Sequence, residues 1–176
     1  MILEENDLRF DFTNAIDAFV FDQMNPSLPN YHGVNNMSRV DFIVELDNAI
    51  LFVEVKDPDH PDSTLEILER FLTKLENGKL GNIFASKFID TFLYRWAEDK
   101  LIKPVYYLSL VTLDNAQVIQ LSDEIVRKLP PLGVAAPRWK KQLFENCQVF
   151  NINTWNENFP NWQVTRISQQ HEAGTD

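Results

Sequence analysis

Asp41, Glu54 and Lys56 are the residues whose types and spacing can do chemistry. Val40, Phe42, Val44 and Leu46 alternate with Asp41, Ile43 and Glu45, then Asp47-Asn48 signals a turn. Leu51, Val53 and Val55 alternate with Ile50, Phe52, Glu54 and Lys56 on the way back. A hairpin centred on Asp47-Asn48 sets Leu46 opposite Ala49, Ile43 opposite Phe52, and Asp41 opposite Glu54. One face is then wholly apolar. The other is apolar in its middle and charged at one end. Cross-strand neighbours have Cβ atoms about 5 Å apart, and two carboxylates at that spacing repel. A divalent cation between them would relieve the repulsion, and hard oxygen ligands suit Mg²⁺ or Mn²⁺. Lys56 lies on the same face, within reach of a water or phosphate at such an ion. Two carboxylates, an ammonium and a metal suffice for phosphodiester hydrolysis.

Asp41, twelve intervening residues and then Glu54-Val55-Lys56, framed by Val40-Asp41-Phe42-Ile43 and Leu51-Phe52-Val53, resembles the PD-(D/E)xK nuclease superfamily. That superfamily includes restriction enzymes, junction resolvases and repair nucleases. The resemblance implies a restriction-endonuclease-like core: a helix, a strand hairpin continued by a third strand, a crossing helix and a fourth strand. It implies Asp41 and Glu54 as ligands of Mg²⁺ or Mn²⁺, Lys56 as the catalytic lysine, and DNA or RNA as substrate. It covers residues 7–113, and Val40 stands where the motif's proline would be. An acid from the leading helix often completes such a site, with Asp17 and Asp22 as candidates. A polar residue of the following helix often joins it, with Lys74 and Lys87 as candidates. Glu45, farther down the hairpin, reads as structural. The alternative for the motif is a solvated hairpin end where Lys56 pairs with Glu54 or Asp41. The alternative function is a catalytically silent nuclease-fold protein, a binding or regulatory partner in a nucleic-acid-processing complex.

The elements that must position these residues follow from periodicity. Leu8, Phe12, Ile16, Phe19 and Val20 predict a helix over residues 7–22, with Phe10 and Phe21 off its stripe. Residues 23–38, rich in Asn and Pro, read as a loop. Ser63-x-x-Glu66 has the form of a capping box for a helix through Leu75, and Gly78 sits where its C-terminal cap belongs. A second stripe runs from Ala85 to Trp96. Residues 104–113 read as a buried central strand. A short strand is expected at residues 117–121, and Ser122 is expected to cap a helix ending before Pro130-Pro131. Residues 138–145 predict a helix, and 148–152 and 162–167 strands. The expected fold class is α/β (α+β), a small mixed β-sheet flanked by helices. Residues 1–168 form a single domain with 169–176 a flexible tail.

Other chemistry is sparser. Arg138, Lys140 and Lys141 with Trp139 form the most basic cluster, a candidate nucleic-acid contact or a helix end with snorkelling lysines. His60 among Asp57, Asp59 and Asp62 reads as a turn. His32 and His171 have no partner pattern, and Cys147 reads as a buried thiol. Trp155, Phe159 and Trp162 read as core or interface. The 176 residues carry 16 Lys+Arg against 26 Asp+Glu, a net charge of −10, and one Cys. One Cys excludes an internal disulfide framework and a CxxC zinc site, and argues for a reducing, cytoplasmic setting. No run is long and apolar enough for a membrane span, and the acidic start is unlike a secretory signal. The acid excess argues against a wholly nucleic-acid-binding surface. It favours a protein partner, a homodimer, or basic residues confined to one face.

Overall fold

The computed structural model describes residues 1–133 and 137–172, with side chains described through residue 169. A small three-stranded sheet and a set of helices enclose the five-stranded sheet that carries the motif. The strands are β1 (Ile2–Glu5), β2 (Leu8–Asp11), β3 (Asp17–Val20), β4 (Phe42–Glu45), β5 (Ile50–Lys56), β6 (Val105–Val111), β7 (Asn146–Phe150) and β8 (Val164–Arg166). The helices are α1 (Leu65–Glu76), α2 (Lys79–Ala97), α3 (Asn115–Lys128), α4 (Ile152–Asn158) and α5 (Ile167–Glu172).

The main sheet has five strands in the order β3-β4-β5-β6-β7. β3, β4 and β5 form an antiparallel meander, whereas β6 and β7 add in parallel. The hairpin has the expected register, Phe42 opposite Val53 and Ile43 opposite Phe52. Alternation sends Phe42, Val44, Leu51, Val53 and Val55 to one core and Ile43, Ile50 and Phe52 to the other. α2 and α3 cover the second side. Phe88 of α2 sits among Phe52, Tyr107 and Phe144 at ring distances of 5.8, 5.3 and 5.0 Å. Gly81 lets α2 approach α3, since a Cβ there would lie 3.0 Å from Glu124 Cβ. The first side is covered by a three-stranded antiparallel sheet, β1-β2-β8, and by Trp155 of α4. The fold is therefore a mixed α/β sheet with helices on one face and a small sheet plus a helix on the other.

Four local expectations are corrected. Residues 7–22 are not a helix but parts of β2 and β3. Leu8, Phe10 and Phe12 alternate inward and are fully buried, and Asn14 breaks the chain at φ 69°. Residues 117–121 are not a strand: α3 starts at Asn115, because Asp114 and Gln117 form a capping box, and Ser122 lies inside the helix. Residues 138–145 form turns and irregular chain rather than a helix, just ahead of β7. α1 is capped by Thr64, whose side chain accepts from the Ile67 N–H, not by Ser63. Gly78 does take the left-handed conformation after α1, at φ 71°. The chain continues as α5 to Glu172, and the last four positions of the expected tail, 173–176, lie outside the described residues, as do residues 134–136.

Candidate active site

Asp41 stands one residue before β4, held from both sides. Its carbonyl accepts from the Phe21 N–H at 2.7 Å. Its Oδ2 accepts from the Val55 N–H at 2.6 Å. The neighbouring Val40 N–H donates to Thr91 Oγ1 of α2 at 3.1 Å. These bonds fix the Asp41 carboxylate across the hairpin beside Glu54. Glu54 is fully buried on β5, in register with Ser109 of β6 on the helix-covered face.

The two carboxylates are matched by two ammoniums. Lys56, the last residue of β5, places Nζ 2.6 Å from Glu54 Oε1 and 3.8 Å from Asp41 Oδ2, and donates to the Val55 carbonyl at 2.8 Å. Lys87 reaches down from α2, donating to Glu54 Oε2 at 2.8 Å and lying 3.5 Å from Asp41 Oδ1. Lys87 Nζ is also 2.7 Å from Glu54 Oε1, yet that oxygen is buried without an aligned hydrogen bond. Oε1 thus lies between two ammoniums at short range, its charge met from both sides.

Burial raises Glu54 to about 7, and the nearby Asp41 adds to the rise against the opposing pull of Lys56 and Lys87. Burial alone would lower Lys56. The carboxylates of Glu54 and Asp41 outweigh it and hold the ammonium charged. Glu5 of β1 is also raised, first by burial and then by Asp41, with Lys56 and Lys87 opposing. Glu5 therefore lies within the field of the cluster.

The donor set around Lys56 Nζ consists of Glu54 Oε1, the Val55 carbonyl and Asp41 Oδ2. These are hard oxygens, the donor type Mg²⁺ or Mn²⁺ takes, and an ion among them would have to displace the Lys56 ammonium. Among the described residues no group of three or more His, Cys, Asp or Glu side chains is clustered for a metal. Any such ion would thus take two carboxylates, a carbonyl and water.

The remaining sequence candidates divide cleanly. Lys87 joins the site, whereas Lys74 is exposed on α1. Asp17 does not join it. It pairs with Glu45 at the far end of β3 and β4, because a strand rather than a helix carries it. Asp22 bonds Arg39 at 2.9 Å. Glu45 takes Arg95 at 2.8 Å, a structural pairing as expected. Arg138, Lys140 and Lys141 are exposed on irregular chain, and Lys141 lines a groove with Pro104 and Val105 at the start of β6. Glu54 lies level with Ser109, four residues farther along, so the basic cluster is about 13 Å away along the strand at the other end of the sheet. The His60 segment is a turn, with the Asp62 N–H donating to His60 Nδ1 at 3.0 Å. Cys147 and Trp155 are buried, the thiol pushed by burial up to about 12.

Two residues had no sequence signal that singled them out. Glu5 lies on an unrecognised strand. Arg166 of β8 donates to Asp57 at 3.1 Å and Asp7 at 3.4 Å, tying the small sheet to the chain leaving β5. Comparison with family models, curated proteins and solved structures finds no match.

Proposed function

We propose that the chain is a metal-dependent nuclease, hydrolysing phosphodiester bonds in DNA or RNA with Mg²⁺ or Mn²⁺. The observation that carries this reading is the convergence of Asp41, Glu54 and Lys56 on one spot, with Glu54 fully buried. A buried carboxylate pair is costly unless compensated, and such clusters concentrate at sites of function. The antiparallel meander leading through helices to a parallel β6 supports this reading, while β1 and β2 stand where the resemblance implies a leading helix. No helix among the described residues is long and apolar enough to cross a membrane.

Asp41 and Glu54 would hold the ion, which when bound polarises the phosphoryl oxygen and acidifies its water. Glu54 must be unprotonated to do so; Lys87 opposes the rise that burial causes and holds the side chain in place. Lys56 is one-third exposed, so its ammonium can swing from the carboxylates to orient the attacking water or meet charge developing on phosphate. The test is cleavage of single-stranded, duplex and branched DNA and of RNA with Mg²⁺ or Mn²⁺. Wild type is expected to cleave at least one, and Lys56→Ala to lose about a hundredfold or more. Equal trace cleavage by both sinks the enzymatic reading.

A second reading rests on a specific observation: the two ammoniums already match the two carboxylates. Such a closed quartet suits a silent nuclease-fold protein acting through a partner, for which the net charge of −10 supplies an acidic surface. Calorimetric titration separates the two. Mg²⁺ binding that disappears in Asp41→Ala supports the enzyme, and no binding in either supports the partner protein.

A further inference from the structure

The second half of α2 carries an apolar stripe that is left open to solvent. Ile89, Leu93 and Trp96 follow one another at i, i+4 and i+7 and are all exposed, Trp96 by 65 %. Ile102, in the chain that leaves α2, is 79 % exposed. A cleft of about 570 Å³ adjoins this stripe, between α2, residues 101–105 and residues 141–145. Phe92, Trp96, Leu101, Ile102, Leu143 and Phe144 give it an apolar lining. Single exposed apolar side chains are ordinary, but a contiguous run of them beside a cleft marks a contact surface. The charge here is opposite to that of the chain as a whole, which is −10. Lys103 and Lys141 line the cleft, and Lys100, Arg138 and Lys140 are exposed on the adjoining chain. Lys103 donates to the Leu46 carbonyl at 2.6 Å, which occupies a hydrogen but leaves the charge. Against these cations stand Glu145 in the lining and the exposed Asp99, while Glu98 is already met by Arg95.

We propose that this face docks an acidic amphipathic helix of a partner protein, its apolar edge laid along the cleft and its carboxylates against the lysine border. Charge complementarity selects that occupant. A second copy of this chain, pairing two-fold through the same face, would set lysine against lysine. A nucleic-acid strand would meet apolar side chains, with Glu145 among them, where it needs a row of phosphate contacts. A helix instead offers apolar anchors at i, i+3, i+4 and i+7 to such a trough, with acids on its flanks. The face lies at the start of β6, at the end of the sheet away from Glu54, and the proposal does not depend on the nuclease reading.

The experiment is a titration of the full chain, read by fluorescence anisotropy, against a labelled synthetic peptide of about 15 residues with Leu and Phe at i, i+3, i+4 and i+7 and Glu elsewhere. Saturable binding is expected, weakening several-fold between about 0.05 M and about 0.5 M salt. A peptide with Lys in place of Glu, and one with the same residues in scrambled order, are expected to bind at least about tenfold more weakly. Trp96→Ser is expected to weaken binding of the acidic peptide about tenfold, and Ile102→Ser, at a still more exposed position, carries the same expectation should Trp96→Ser not fold. Lys141→Glu is expected to weaken it several-fold, and Lys56→Ala to leave it as in wild type. No saturable binding, equal binding of the Lys or scrambled peptide, binding untouched by both Trp96→Ser and Ile102→Ser, or binding lost in Lys56→Ala overturns the proposal. Displacement of the peptide by single-stranded or duplex DNA overturns it in favour of nucleic acid, and self-association of the free chain that Trp96→Ser abolishes overturns it in favour of a second copy. Because these readouts need neither metal nor cleavage, the docking face can fail while nuclease activity stands, and the reverse.

Discussion

Replacing Glu54 by Gln keeps the side chain's size and removes its charge, so it isolates what burying that charge does to stability. The wild-type carboxyl is raised from 4.5 to about 7, first by burial and then by Asp41. At about 1.4 kcal/mol for each pH unit, this is worth about 3 kcal/mol. The sign follows from proton counts. Between pH 4.5 and 7 the folded protein holds a proton at Glu54 that the unfolded chain has released, so stability falls as pH rises through that window. Below 4.5 both states are protonated and the penalty vanishes. Above 7 both are ionised and it is present in full. Urea denaturation at pH 4.5, 5.5, 6.5 and 7.5 is expected to show wild type losing up to about 3 kcal/mol more across the series than Glu54→Gln. Mg²⁺ should reduce the difference, because an ion at Asp41 and Glu54 favours the ionised carboxylate and binds with proton release. Parallel profiles for the two proteins would refute the argument that burial governs this carboxyl.

Glu5→Gln should weaken Mg²⁺ binding several-fold at low salt and little at high salt, because Glu5 acts on the cluster through space; calorimetry at two ionic strengths checks it. Gly81→Ala should destabilise by about 1–3 kcal/mol, since the new Cβ would meet Glu124 Cβ at 3.0 Å and its backbone carbonyl carbon and oxygen at 3.2 Å; thermal denaturation reads this. Arg166→Ala should cost about 3–5 kcal/mol, because it leaves the buried Asp7 and Asp57 carboxylates without their cation; denaturant titration reads it, and Arg166→Lys should recover only part. Asp17→Asn should leave metal affinity unchanged, since Asp17 sits at the far end of β3 from Asp41.

The hairpin was legible because its alternation is strict and its turn residues are unambiguous, and its register delivered Asp41 beside Glu54. β6 and α2 were legible as a continuous apolar run and a long helical stripe. The first segment misled because Leu8, Phe12, Ile16 and Phe19 satisfy a helical stripe while Leu8, Phe10 and Phe12 satisfy alternation. Tertiary packing against Phe42 and Trp155 decides for the strand. That single misreading hid Glu5 and misplaced Asp17. α3 was found late because Asp114 caps it from within a segment that also reads as a turn. Lys87 could be named from its helix, but not its reach to Glu54, which depends on how α2 lies across the sheet. Arg166 pairs with Asp7 and Asp57 from far away in the chain, and no local pattern carries such a contact.

β8 closes the small sheet by pairing with β2, Val164 against Phe10 and Arg166 against Leu8. During synthesis, therefore, the meander, α2 and β6 can assemble while the small sheet on the hairpin's other face still lacks its third strand. Leu8 and Phe10, paired with β1 on one side, meet their second neighbouring strand more than 150 residues later. Val164 and the Arg166 clamp follow every other strand in the chain and seal that face. Pairing over such a span is slow to form. A nascent chain stalled before Val164 would thus expose apolar surface along β2 for chaperones to hold.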